Sequence, residues 1–114
     1  KYSEFIRILR NDKRVLTGFV EKIYITKEMQ KSYMKIYCNN YHICLWKNDP
    51  VGFVGVIDND IRICVHPDHQ QKGIGKFILR EIIKLYPQAK GRIKKGNISS
   101  QRIFIKCEVP FEII

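Results

Sequence analysis

The chain has 114 residues and a mass of 13.5 kDa, with 45% hydrophobic and 28% charged side chains and a formal net charge of +10. That suits one small core, expected as a single domain over 1–114. It excludes a low-complexity or disordered chain and a membrane span, since no apolar run approaches the ~20 residues a bilayer needs. No signal-peptide pattern opens the chain, and a start at Lys1 instead of methionine leads us to expect further N-terminal sequence.

The segment SEFIRILRND carries apolar Phe5, Ile6, Ile8 and Leu9 behind a candidate cap at Ser3 and a stop at Asn11–Asp12, the spacing of a short helix. ITKEMQKSYMKIY offers Thr26 as N-cap and apolar Met29, Tyr33, Met34 and Ile36, a second helix. YHICLW (41–46), VGFVGVI (51–57) and IRICV (61–65) read as strands, separated by the turns KNDP (47–50) and DND (58–60), so an antiparallel meander is expected. GKFILREIIKLY then places Ile74, Ile78, Ile82 and Leu85 on one helical face, ended by Pro87. GRIKK (91–95) reads as a short strand, and SSQRIFIKC (99–107) as a helix capped by Ser99 or Asn97. Helices, meander, helix, strand and helix make an α+β or mixed α/β domain, neither a bundle nor a sandwich.

Cys38, Cys44, Cys64 and Cys107 form no CxxC pair, and Cys44 and Cys64 sit in apolar strand patterns, where a buried reduced thiol and a cytosolic location are expected. His42, His66 and His69 lack zinc-ligand spacing to these cysteines, so no metal is expected. Charge is uneven. Residues 1–69 hold 11 basic and 8 acidic side chains, while residues 70–114 hold 10 and 3, so +7 of the excess falls at and after Gln70. Such a field attracts an anion: nucleic acid, a phosphorylated cofactor or an acidic partner.

That basic half opens on VHPDHQQKGIGKF. A Walker A loop is excluded because Gly75-Lys76 is followed by Phe77, and no glycine stands five residues before Gly75. A dinucleotide fingerprint would need glycine where Ile78 stands, and a βαβ context the meander does not supply. What remains is Gln70-Gln71-Lys72-Gly73-Ile74-Gly75 joining a strand to a helix. A helix N-terminus offers unpaired N–H groups and a positive dipole end, glycines let backbone approach a diphosphate, and Lys72 and Lys76 add charge.

Val65-His66-Pro67 followed by Gln-x-x-Gly-x-Gly resembles the central motif of the GNAT superfamily of acyl-CoA-dependent N-acetyltransferases. A second family element, Asn-x-x-[Ala/Ser]-x-x-Leu-Tyr followed by lysine, is matched by Asn97, Ser100, Ile103, Phe104 and Lys106. The resemblance covers most of residues 1–107. It implies a GNAT-like fold, a central, mostly antiparallel sheet with two splayed strands, flanked by helices and short at both ends. Acetyl-CoA would be the cosubstrate, with pantetheine between the strand ending at Cys64–Val65 and the strand near Ile93. Backbone N–H groups from Gln71 through Lys72, Gly73, Ile74 and Gly75 to Lys76 would cradle the pyrophosphate, and Asn97 would touch the pantetheine arm.

Three positions depart from the family pattern. Phe104 stands where the family has its tyrosine acid, leaving the thiolate to depart unaided, or water, Tyr41 or Tyr86 to substitute. Glu108-Val109 stands where it has Gly-Phe, and the final strand looks short or absent. The base is open among Asp58, Asp60, His66 and His69, with Glu28 further off. His66 is preferred for its place at the strand end and its pKa of ~6.5, against a plain loop histidine. Asp58 and Asp60 also suit turns, and no acyl-Cys64 is required, since an amine attacks a thioester directly. The acceptor is an amine on a small molecule, a nucleotide sugar or a protein. LRND with ITKEMQ is similar to members that acetylate amino sugars on nucleotides, or protein N-termini, with Arg7, Arg10 and Arg14 nearby. The rivals are a non-catalytic acyl-CoA-binding domain and a nucleic-acid-binding module, the latter resting on KGRIKK and charge without a motif.

Overall fold

A computed structural model describes residues 2–16, 24–70 and 72–114. In chain order it contains α1 (Ser3–Asn11), α2 (Lys13–Leu16), α3 (Lys27–Tyr37), β1 (Tyr41–Trp46), β2 (Asp49–Ile57), β3 (Asp60–Val65), α4 (Ile74–Leu85), β4 (Lys90–Ile93), α5 (Ile98–Lys106) and β5 (Phe111–Ile113). The five strands form one mixed sheet in sequence order. β1–β2 and β2–β3 are antiparallel; β3–β4 and β4–β5 are parallel, each joined through a crossover helix.

The meander turns are tighter than the sequence suggests. Lys47-Asn48 and Asp58-Asn59 all have positive φ, the two-residue mirror-image turns that match strand twist, so β2 begins at Asp49 and β3 at Asp60. Opposite the step from Cys44 to Leu45, β2 carries an extra residue: Gly52 pairs with Cys44, Pro50 pairs with Leu45, and Val51 is skipped. The bulge turns Val51 into the core cluster built around α4, whereas Phe53 belongs to the cluster under α1 and α2.

Helix ends follow their caps. Thr26 Oγ1 accepts from Met29 N–H, and Asn97 Oδ1 accepts from Ser100 N–H, so both expected caps hold. Ser3 does not cap: α1 starts beyond Tyr2 without a side-chain bond, and Ser3 carbonyl instead accepts from the buried Gln30 amide at 2.8 Å. That contact sets α3 against α1 through Gln30, leaving Met29 and Ile36 exposed. On α4 the buried face is Ile74, Ile78, Leu79 and Ile82; Leu85, at the last turn, is exposed.

α5 closes with Glu108 at φ 58°, Val109 N–H bonding Phe104 O and Glu108 N–H bonding Ile105 O, a Schellman end. It turns the chain into β5, a three-residue strand at the place where a final strand looked short or absent.

Candidate active site

The parallel pairing of β3 with β4 has only two rungs, Asp60–Lys90 and Ile61–Gly91; beyond them the strands diverge. Lys90 N–H donates to Asn59 O, so by the two-residue period of a strand the backbone groups of Ile61, Ile63 and Val65 face β4. β4 answers at Ile61 and no further. Cys64 backbone points the other way: its carbonyl oxygen would lie 2.8 Å from a Cβ on Gly52 of β2. The backbone edge open to a ligand is therefore Ile63 and Val65, with Gln70 Nε2 already donating to Val65 O at 3.3 Å.

On one side of this fork lies a cleft of about 940 Å³. Its floor holds Cys64, Val65 and Phe104, and its rim Gln70, Gly73, Gly75, Lys76, Asn97 and Lys106. Of the other sequence candidates, Lys72 stands exposed beside it, Ile74 is buried in the core, and Gln71 lies outside the described residues. The two glycines have different jobs. Gly73 is the N-cap of α4 in the left-handed conformation (φ 81°), and a Cβ there would meet nothing within 4 Å. A Cβ on Gly75 would press on Ile103 Cδ1 at 3.0 Å, so this glycine lets α4 pack on α5.

α4 has no side-chain cap, and Phe77 N–H is the first to bond back, to Gly73 O. The N–H groups of Ile74, Gly75 and Lys76 thus precede the helical ladder and face outward at its positive end. Arg14, Lys76, Lys94, Arg102 and Lys106 line the cleft, with no carboxylate among its described lining residues. An open αL glycine, a bare helix start and four cations besides Arg14, whose charge Asp12 and Asp68 offset, fit a long polyanion such as CoA. Arg14 was singled out from sequence only beside the acceptor, whereas Lys94 and Arg102 were not assigned to this cleft and their signal was the bulk charge of the C-terminal half.

On the other side lies a cavity of about 300 Å³ walled by Arg10, Tyr33, Tyr41, Asp60, Arg62 and Arg92, among others. The two spaces share Ile63, Asn97, Ser100 and Phe104. Two rings hold this region by lying on glycines: a Cβ on Gly55 would meet Tyr41 Cε1 at 2.5 Å, and one on Gly91 would meet Phe104 Cε2 at 2.5 Å. Arg62 Nη1 donates to Tyr33 OH at 3.0 Å, and Tyr33 and Tyr41 hydroxyls lie 2.7 Å apart. Burial, then the bond with Tyr41, pushes the Tyr33 hydroxyl well above the usual tyrosine range, so it keeps its proton.

Other sequence candidates stand apart. His66 lines neither space: its Nδ1 accepts from Asp68 N–H at 3.1 Å, capping the Pro67–His69 turn, and its ring meets His69 at 5.9 Å. Asp58 is an exposed turn residue at φ 52°, Glu28 sits exposed in the first turn of α3, and Tyr86 packs by His42. Asp60 does line the smaller cavity, 3.6 Å from Arg62. Burial pushes the Cys64 thiol up to about 12, so it stays protonated. Arg7 is tied to Glu4 and Ile25 O, and Arg14 to Asp12 and Asp68, while Arg10 of α1 lines the smaller cavity.

No curated protein sequence matches the chain. Among solved structures, it is similar to spermidine N-acetyltransferase from Vibrio cholerae in complex with CoA and spermine. The identity is 15% and the TM-score 0.77, over 93% of this chain and 73% of that one. It is also similar to ribosomal-protein-alanine N-acetyltransferase from Brucella melitensis (13%, TM-score 0.76, 92% and 76%). A third similar structure is an aminoglycoside acetyltransferase in complex with coenzyme A and kanamycin (14%, TM-score 0.72, 93% and 77%). At these identities the likeness is one of fold. The family model of the acetyltransferase (GNAT) domain matches residues 38–107, from the end of α3 to the end of α5 and across the whole fork. The chain belongs to the GNAT family of acetyltransferases, enzymes that take acetyl-CoA as cosubstrate.

Proposed function

We propose that this chain moves the acetyl group of acetyl-CoA onto a primary amine by direct attack. The observation that carries this reading is the fork, with a cationic cleft on one side, a smaller cavity on the other, and both meeting at Ile63, Asn97, Ser100 and Phe104. The pyrophosphate is assigned to the N–H groups of Ile74, Gly75 and Lys76 beside Gly73, and the pantetheine arm to the Ile63 and Val65 edge. Asn97 has committed its oxygen to the α5 cap, so it offers its Nδ2 amide. When bound, acetyl-CoA supplies a thioester carbonyl: the amine nitrogen bonds to its carbon, the C–S bond breaks, and sulfur leaves as thiolate to be protonated.

The amine's proton goes to solvent in the smaller cavity, where Asp60 is the sequence-derived base candidate on the wall; we assign it to receive that proton through water. His66 serves instead to shape the loop ahead of the glycines. Asp60→Asn should then move the pH profile of kcat/KM, while His66→Gln should leave it in place. The four cysteines are all free, which suits the cytosolic setting we propose.

The test of the donor site is thermal unfolding with acetyl-CoA and with desulfo-CoA. Ligand at 100 times its dissociation constant adds about 2.7 kcal/mol. Gly73→Glu should erase the shift by placing a carboxylate at the helix start. Gly73→Ala carries the same left-handed strain without the charge and should keep it. A saturable shift that survives Gly73→Glu would remove the loop from the donor site.

A further inference from the structure

Resting on that reading of the fork, we infer that the acceptor amine also carries an anionic group, a phosphate or carboxylate, which Arg10, Arg62 and Arg92 hold. These three guanidinium groups come from α1, β3 and β4 and converge on one cavity, and Asp60 is the only carboxylate among its described lining residues. Those described residues carry a net two positive charges.

Its hydrogen-bonding character points the same way. A guanidinium only donates. Arg62 donates to Tyr33 OH, and the Tyr33–Tyr41 contact uses one hydroxyl hydrogen whichever ring gives it. One hydroxyl hydrogen is left over in either case. Guanidinium and hydroxyl donors therefore face the cavity from several elements, an arrangement suited to an oxyanion. Arg62 is held in place by Tyr33, Tyr33 by Tyr41, and Tyr41 by its seat on Gly55, so this donor is positioned before a ligand arrives.

The same field serves the chemistry. An amine attacks only when neutral, and nearby positive charge disfavours the ammonium form. An acidic group anchors such a substrate in the cavity while the arginines ease its amine toward the reactive state. The polyamine and aminoglycoside found with structural neighbours are polycations; this wall would repel them.

The experiment compares matched pairs with acetyl-CoA, reading released thiol: glucosamine 6-phosphate against glucosamine, glycine against glycinamide, and spermidine and kanamycin as cations. The anionic member of at least one pair should exceed its neutral partner in kcat/KM by about tenfold or more, a difference within reach of one charge-assisted contact. The phosphate and carboxylate arms separate the two sources. Arg92→Glu, at an exposed position, should collapse the preference, and Arg62→Gln should weaken it.

Equal rates within both pairs, or a preference for spermidine or kanamycin, would overturn the inference. If acetyl-CoA shifts the melting temperature but nothing turns over, calorimetric titration of the desulfo-CoA complex decides: binding of an anionic amine that Arg92→Glu removes supports it, and no such binding refutes it. A chain that ignores acetyl-CoA yet binds glucosamine 6-phosphate through Arg92 would instead sink the donor-site reading and leave this one standing.

Discussion

Replacing Gly91 by alanine is the sharpest probe of how the fork is held open. Gly91 is the last β4 residue to pair with β3, and Phe104 lies flat against it. A Cβ there would stand 2.5 Å from Phe104 Cε2, 2.8 Å from Cζ and 3.2 Å from Cδ2. Carbon atoms rest at about 3.5–4.0 Å, so the ring must retreat by about 1 Å. It has nowhere easy to go: Phe104 is 2% exposed and its ring meets Phe111 at 5.8 Å. Overpacking of this kind costs about 1–3 kcal/mol, offset by about 0.5 kcal/mol or more because glycine loses more backbone freedom on folding. A net loss of about 1–2 kcal/mol should appear in urea and thermal unfolding, with a drop in melting temperature of about 4 °C or more per kcal/mol. Because the displaced ring moves into the fork, the acetyl-CoA shift should shrink as well. Phe104→Leu combined with Gly91→Ala should cost less than the sum of the single changes, a coupling of about 1 kcal/mol. A Gly91→Ala chain within about 0.5 kcal/mol of the parent, or strict additivity with Phe104→Leu, would refute this account of the fork.

Glu108→Gly should raise the urea midpoint by the equivalent of about 0.5–1 kcal/mol, since a left-handed residue costs a side chain about 1–2 kcal/mol and glycine returns part of that as entropy; a loss would mean that α5 does not end as a Schellman motif. Iodoacetamide at pH 8 should label exposed Cys38 in the folded chain and leave Cys64, whose thiol burial holds at about 12, until unfolding; prompt labelling of Cys64 would contradict its burial. The Arg14 side chain and backbone N–H beside Asp12 lower its carboxyl from 3.8 to about 2, so its contribution to stability is complete above about pH 4 and fades as pH falls toward 2. The melting temperatures of the parent and Asp12→Asn should therefore differ at neutral pH and converge across that window; a constant gap would show that Asp12 acts without its charge.

What the sequence made legible was local. Thr26 and Asn97 announce helix starts because a cap is read within three residues, and the meander is visible because β-branched runs alternate with Asn and Asp turns. The glycine loop is legible for the same reason, yet the division of labour inside it is not: only the neighbour across space, Ile103, distinguishes Gly75 from Gly73. Leu85 follows the helical period as well as Ile82, yet it is exposed at the helix end while Ile82 is buried in the core. The smaller cavity was the least legible part. Arg10, Tyr33, Tyr41, Arg62 and Arg92 are scattered over five elements, and no spacing rule brings them together. Alternation in DIRIC does place Asp60, Arg62 and Cys64 on one strand face, but which face meets α1 is settled by packing.

Phe104 asks how the reaction proceeds without the hydroxyl its family carries there. The leaving thiolate has a pKa of about 8.5 in its free form, so it departs more readily than an alkoxide and needs less help from an acid. Lys76, Lys94, Arg102 and Lys106 surround its side of the fork, and such a field favours both the departing thiolate and the charge that gathers on the carbonyl oxygen during attack. Tyr33 holds its proton too firmly to give it up and stands on the acceptor side. The burden therefore falls on proximity, with the amine and thioester brought together across Ile63 and Phe104, and on that cationic field. On this reasoning a hydroxyl at position 104 is an addition, not a repair: Phe104→Tyr should keep or raise kcat, by at most about 10². A fall in kcat with acetyl-CoA affinity intact would mean that the donor carbonyl lies elsewhere along β3, away from the para position of residue 104.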